Sequence, residues 1–396
     1  MNDIIKNEWY KLKFRDYLSE FPKSKNPSGI SHQNGPFKFY VCSQNIFKSF
    51  KSEMNEEAIL LSTGGEASIH FATGKYSYST DVWAIKSSGA LINSFAYRCL
   101  EFRLKQINYA GFQGSGIRHL DKEFIKKLEF LVPTVSEQKK IASILTSVDD
   151  VIEKTQSQIN KLQDLKKATM NELLTKGIGH TDFKDSELGR IPKSWKITEL
   201  SKVSMILSSN VDKKTIENET LVSLCNYMDV YKNLIITREI NFMKASAKKS
   251  EINKFLIKKD DVIITKDSET PDDIAISSYV SEDFDNVLCG YHLSIIRSNK
   301  SVVDGKFLSL FFKLDYTRHR FSILANGTTR FGLNLKEIEN SKILVPSLEE
   351  QKKIANIIFS LDDEISTITK KFNKYIFLKK SLMQDLLTGK VRVSVN

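Results

Sequence analysis

Cysteine is scarce in this 396-residue chain. Its four copies, Cys42, Cys99, Cys225 and Cys289, lie far apart and form no CxxC pair. That spacing excludes a disulfide framework and a zinc knuckle, and it predicts reduced thiols in the core. Long hydrophobic runs are also missing. No stretch approaches the roughly 18 apolar residues of a membrane span, and the opening MNDIIKNEWYKLKF lacks the apolar block of a signal peptide. A soluble cytoplasmic chain is expected.

Reactive constellations are absent as well. There is no GxxxxGK[ST] loop for phosphate, and GFQGSG at Gly111 has the wrong glycine spacing for a dinucleotide fingerprint. The six histidines form no HExxH, and no GxSxG elbow occurs. Asp260, Asp261 and Lys266 in KKDDVIITKDSETPDD come nearest to a metal-nuclease motif, but the strand lacks an acidic residue two positions before the lysine. Asp260 to Val262 reads instead as a turn into a buried strand. No catalytic, cofactor-binding or metal-ligating residue is assigned.

What the chain does have is positive charge, +11 overall. It is spread as about +5 over residues 1–130, +1 over 131–180, +2 over 181–343 and +3 over 344–396. With no charged tail, the excess belongs to folded surface and points to a polyanionic partner.

The chain also repeats itself. LVPTVSEQKKIASILTSVDD at Leu131 returns as LVPSLEEQKKIANIIFSLDD at Leu344, and residues 131–176 match 344–389 at 23 of 46 positions without a gap, at an offset of 213. Each copy opens on a capping box, Thr134-x-x-Glu137 or Ser347-x-x-Glu350, in which the hydroxyl takes an orphan amide and the glutamate reaches back. Heptad spacing follows through Ile141, Leu145, Val148, Ile152, Thr155, Ile159 and Leu162. The second copy steps through Ile354, Ile358, Leu361, Ile365, Ile368, Phe372 and Tyr375, and Gly177 and Gly389 mark the ends. Two helices of about 40 residues, roughly 60 Å each, are expected. Each stripe could pack on its neighbouring globular segment. Antiparallel pairing of the two helices as a coiled coil accounts better for two near-identical stripes.

The intervening segments share an order of elements rather than a sequence. Trp9 matches Trp195 at an offset of only 186, so the second segment is 27 residues longer. In each, strand-like runs (76–88; 287–298) precede helical stretches and then a small-residue loop, GSGIRH or NGTTRF, just before LVP. Arg118 and His119 in the first loop and Arg330 in the second occupy the same place in both halves and are candidate DNA contacts. Glycines there let amides approach phosphate, and arginine grips phosphate or reads guanine. The alternative is an arginine that neutralises a helix or is merely solvated. Arg318, His319 and Arg320 add local positive charge beside Phe312, Tyr316 and Phe321, which read as core. Lys75, Tyr76 and Tyr78 lie on an alternating strand with one face offered. Lys248, Lys249, Lys258 and Lys259 read as phosphate contacts or solvated charge, and Lys266 completes the DNA-facing set.

These residues resemble the specificity subunits of type I restriction-modification systems over essentially the whole chain. The resemblance rests on the paired (L)VPxxxEQKKIAxI…DD…LKK…LLT segments, the entry LGRIPKSWKITEL (188–200) and the stretch DDVIITKDSETPDDIAI…NVLCGYHLSII. It implies an α+β fold with a pseudo-two-fold repeat: target recognition domains at 1–130 and 181–343, and helical spacer regions at 131–180 and 344–396 that pair as an antiparallel coiled coil. It further implies that each recognition domain reads one half of a split double-stranded DNA target while the helices set the unread spacer. Two adenine methyltransferase subunits would dock, with restriction and motor subunits joining through them. S-adenosylmethionine, ATP and Mg2+ would belong to those partners, in a bacterial or archaeal cytoplasm at the nucleoid. A single-chain DNA-binding nuclease and a coiled-coil structural adaptor are the alternatives.

Overall fold

The computed structural model describes residues 9–32 and 34–395. The first eight residues, on which part of the signal-peptide reading rests, lie outside them. Among the described residues no helix is long and apolar enough to cross a membrane. Two helices dominate, Val135–Lys176 with 42 residues and Leu348–Leu387 with 40. By contact the chain forms two compact units, one reaching to Gln158 and resuming at Ile368, the other spanning Ile159–Thr367. Each unit therefore combines one globular segment, the start of the helix that follows it and the end of the other long helix.

In the first unit an antiparallel sheet runs in the order Leu18–Glu20, Val82–Ser87, Ala58–Ser62, Ile69–Ala72. The central strand Ala58–Ser62 is buried at every residue, as its unbroken AILLS predicts for a strand covered on both faces. A second sheet joins Ile46–Ser49, Phe37–Tyr40 and Tyr76–Tyr78. The second unit holds a five-stranded sheet around Asp261–Thr265 and Leu293–Ser298, and a three-stranded sheet around Thr220–Cys225. Both globular segments are closed by the same device: the entering strand pairs with the one leading into the long helix, Tyr10 opposite Val132 and Lys196 opposite Val345. These partners repeat the two offsets read from the sequence.

The helices run antiparallel in both units. Asp149 meets Lys379 at 2.6 Å in the first, and Lys166 meets Asp362 at 2.5 Å in the second, the same pair exchanged by the repeat. The stripe is inward throughout. Ile141, Leu145, Ile159, Ile354, Ile358 and Ile368 are buried, while Val148, Ile152, Thr155, Leu162, Leu361, Ile365, Phe372 and Tyr375 are half-buried. Packing on the globular segment and pairing with the other helix are not alternatives here. Ile141 and Leu145 enter the core with Phe95 and Phe130 together with Met383, Leu386 and Leu387 of the second helix. Ile354 and Ile358 enter the other core with Phe307 and Trp195 together with Met170 and Leu174 of the first.

The capping boxes form only in part. The hydroxyls of Thr134 and Ser347 accept the Glu137 and Glu350 amides as expected, at 3.4 and 3.2 Å. The glutamates do not reach back. Glu137 takes Arg392 in a two-pronged pair at 2.7 and 2.8 Å and the Val393 amide at 3.2 Å, which holds its carboxyl below the usual range. Glu350 accepts from the Trp195 indole at 3.0 Å, the Ile178 amide at 3.0 Å and His180 at 2.8 Å. Each glutamate thus secures the chain just beyond the end of the other long helix. The neighbouring glutamine is equally committed. Gln138 donates to the Pro133 and Ala90 carbonyls and accepts from the Ile92 amide, and Gln351 does the same with Pro346, Val302 and Asp304. The repeated Glu-Gln is a pair of latches, which explains why it occurs twice.

Of the two ion pairs that join the long helices, Asp149–Lys379 lies in a charge-balanced cluster and Lys166–Asp362 does not. Around Asp149 two acids, Asp149 and Glu101, face two bases, Arg98 and Lys379. Around Asp362 a single acid faces Lys166, and Lys313 beside them is pushed down to about 8, first by burial and then by the charge of Lys166. The unfolded lysine binds its proton up to the ordinary value near 10.5, so stability rises with pH between about 8 and 10.5. Lys313→Met is expected to flatten that rise and to add on the order of 1–3 kcal/mol at neutral pH. Urea melts at pH 7 and pH 9.5 measure it, and equal pH slopes in the two proteins would refute the assignment.

Candidate nucleic-acid interface

The structure gives the DNA-facing candidates different surroundings. Lys75 is exposed on a turn, but Tyr76 and Tyr78 are not on an offered face. Their rings are 0% and 3% exposed, and their hydroxyls donate to the Glu56 and Pro22 carbonyls at 2.9 and 2.6 Å. Both tyrosines are core. The strand Tyr76–Tyr78 is buried on both faces, so alternation along it opens neither to solvent. Tyr316 departs in the opposite direction: it is 54% exposed, while Phe312 and Phe321 are buried and stacked at 5.8 Å. Cys42 is half-buried rather than core, whereas Cys99, Cys225 and Cys289 are buried, and all four are free.

Three of the basic candidates are committed to the fold. Arg118 donates to the Asn108 carbonyl at 3.0 Å, gripping the last turn of the helix Leu104–Ala110. Lys266 donates to the Ser209 carbonyl at 2.7 Å beneath the Tyr291 ring, and burial lowers its affinity for a proton. Arg318 donates to the Asp272 carbonyl. His119, His319, Lys248 and Lys249 are exposed and Arg320 is half-buried. Lys248 and Lys249 stand at the start of the helix Lys249–Phe255, where the Glu251 carboxylate takes the Lys248 amide at 3.0 Å. The nuclease-like carboxylates are consumed too. Asp261 is 1% exposed and bound twice by Arg297, and Asp260 takes Tyr279 at 2.6 Å and Lys300 at 2.8 Å. Among the described residues no three His, Cys, Asp or Glu side chains are placed to hold a metal.

The two small-residue loops are built alike. Gly114 and Gly327 both turn with positive φ, +132° and +150°, and a Cβ on either would meet the carbonyl three residues on, that of Ile117 or Arg330. Gly64 bridges to His119 as Asp267 pairs with Gly332. The Leu120 amide donates to Thr63 at 3.0 Å, and the Leu333 amide to Lys266 at 2.8 Å. Asp121 and Asn334 then cap short helices whose Ile125 and Ile338 are fully buried. Every correspondence within the loops keeps the offset of 213. Arg330 therefore corresponds to Ile117, not to Arg118, whose counterpart is Phe331. Extending the repeat upstream of LVP would have found this in the sequence.

Arg330 stands at the edge of a cleft of about 400 Å³ lined also by Tyr227, Met228, Tyr231, Asp267 and His292. Its Nε lies 3.8 Å from Asp267 Oδ1, and Asp267 lies 2.7 Å from His292 Nδ1. The Tyr227 and Tyr231 rings, which line the same cleft, stack at 5.7 Å. Nothing in the sequence reading singled out that pair. Their spacing of four on a short helix, Tyr227–Lys232, is the signal that was available.

Each sheet-built unit is latched to its own stretches of an antiparallel helix pair and carries a glycine-turned loop at the equivalent place, so the chain is one architecture used twice. The family model described as type I restriction modification DNA specificity domain matches residues 29–164 and 192–376. The chain belongs to that family and is the DNA-specificity component of such a system, not an enzyme. It is similar to the type I restriction enzyme MjaVIII specificity subunit of Methanocaldococcus jannaschii, 29% identical over 98% of this chain and 94% of that protein. Its fold is similar to the crystal structure of a type I restriction-modification S subunit from M. genitalium, with a TM-score of 0.66 at 16% identity over 98% of each chain.

Proposed function

We propose that the two globular segments, 1–130 and 181–343, each read one half of a bipartite asymmetric DNA target, while the helical regions 131–180 and 344–396 set the unread spacer. The observation that carries this reading is the latch pair: Glu137 and Glu350 hold equivalent positions 213 residues apart, so the chain offers one architecture twice. Two equivalent helix surfaces suit two methyltransferase subunits, through which restriction and motor subunits join. Those partners would supply S-adenosylmethionine, ATP and Mg2+. Lys75, His119, Lys248, Lys249, His319, Arg320 and Arg330 are the DNA-facing set. Arg118, Lys266 and Arg318 support it from behind.

Inserting one helical turn of four residues into each long helix at matched positions adds about 6 Å, so the spacer is expected to lengthen by one to two base pairs with both half-sites unchanged. Mapping methylated adenines in cells that express the chain with its methyltransferase partner reads this directly. An unchanged spacer would remove the ruler role.

A further inference from the structure

We propose that the loop-tip position occupied by Ile117 in the first unit and Arg330 in the second is the base-reading position of both, Ile117 taking a thymine methyl and Arg330 a guanine. The inference rests on the proposed division of the target into two halves, and it adds the residues and the chemistry of the bases. Four observations place the two side chains in one structural slot: the glycine turns at Gly114 and Gly327, the pairings of Gly64 with His119 and Asp267 with Gly332, the matching amide bonds of Leu120 and Leu333, and the caps at Asp121 and Asn334. Both side chains are held out from folded backbone. Ile117 is 75% exposed, and the Arg330 side chain is 62% exposed.

At the tip of this hairpin Ile117 is bared to solvent in the slot that Arg330 fills in the other unit, so its side chain is open to contact with another molecule. In the major groove the C5 methyl of thymine is the apolar feature, and a branched aliphatic group matches it. Arg118 fixes the base of that hairpin to the Asn108 carbonyl, and the adjoining Tyr109 is 89% exposed beside it in sequence. Arg330 presents the opposite chemistry. Its forked donors match guanine O6 and N7. The Asp267 carboxylate, backed by His292, sits near Nε and restrains the stem, so that less freedom is lost when the fork engages. Gly64 occupies the place of Asp267 in the first unit, and an isoleucine needs no such restraint.

The test uses the full chain coexpressed with its methyltransferase partner, with methylated adenines mapped across the host genome for wild type, Ile117→Ala, Arg330→Ala and Arg330→Lys. Ile117→Ala is expected to relax one thymine position in one half-site. Arg330→Ala and Arg330→Lys are expected to relax one guanine position in the other half, by roughly ten- to a hundred-fold in preference, because lysine keeps the charge but loses the fork. Should a variant methylate too weakly to map, competition binding of the purified complex against target duplexes altered one base pair at a time reads the same preference. Unchanged preferences in either assay, or relaxation by both residues within the same half-site, would overturn the proposal. Wild-type methylation without a bipartite motif would instead overturn the division into halves on which it rests.

Discussion

Glu350→Ala is expected to cost about 1–3 kcal/mol of the second unit's stability, the range for leaving a buried donor without its acceptor. The carboxylate is 13% exposed and accepts three donors, from Trp195, Ile178 and His180. Trp195 is 1% exposed in the core that also holds Ile354 and Met170, so its indole N–H has no water to turn to once the acceptor is gone. The Ile178 amide and His180 are more open to water, so the stranded indole carries most of the cost. Glu350→Gln retains one carbonyl acceptor, so it should fall between. Urea titration followed by tryptophan fluorescence measures the loss, and a change below about 1 kcal/mol in the alanine variant would show that the latch is ornamental. Glu137 in the first unit carries a sign for pH. Its carboxyl is held low by Arg392, so its contribution is complete above the ordinary carboxylate range and is lost as pH falls through the lowered value.

The long helices were legible because their signals are local. Heptad spacing, the hydroxyl caps and the closing glycines each depend on residues a few positions apart, and the structure follows them to within a residue or two. The glutamates were misread for the complementary reason. A capping box is satisfied by neighbours three residues away, but Glu137 and Glu350 find stronger donors 255 and 155 residues away, in Arg392 and Trp195. Tyr76 and Tyr78 failed on a different ground. Alternation reports which residues share a face, but not whether a second layer covers the other one. Arg118 and Arg330 looked equivalent because residue type was compared in place of loop position. The backbone turns at Gly114 and Gly327 put Ile117 opposite Arg330, and an isoleucine does not advertise itself as a DNA contact.

Replacing residues 1–130 with the corresponding segment of a relative is expected to change one half of the methylated target completely and to leave the other half intact. The expectation follows from how the cores are divided. The first core draws on Phe14, Ile59, Phe95 and Phe130 from the segment and on Ile141, Leu145, Met383, Leu386 and Leu387 from the helices, and none of these belongs to the core around Trp195 and Phe307. A graft therefore has to meet five fixed helix side chains, and a mismatch in volume there costs about 1–3 kcal/mol without touching the second core. The latch survives the exchange, because Glu137 and Arg392 both lie outside the replaced segment. Methylation mapping separates the outcomes. One new half-site with the old spacer and the old second half is the expected result. A change in both halves would mean that the segments do not read independently, and no change in either would mean that residues 1–130 do not read DNA.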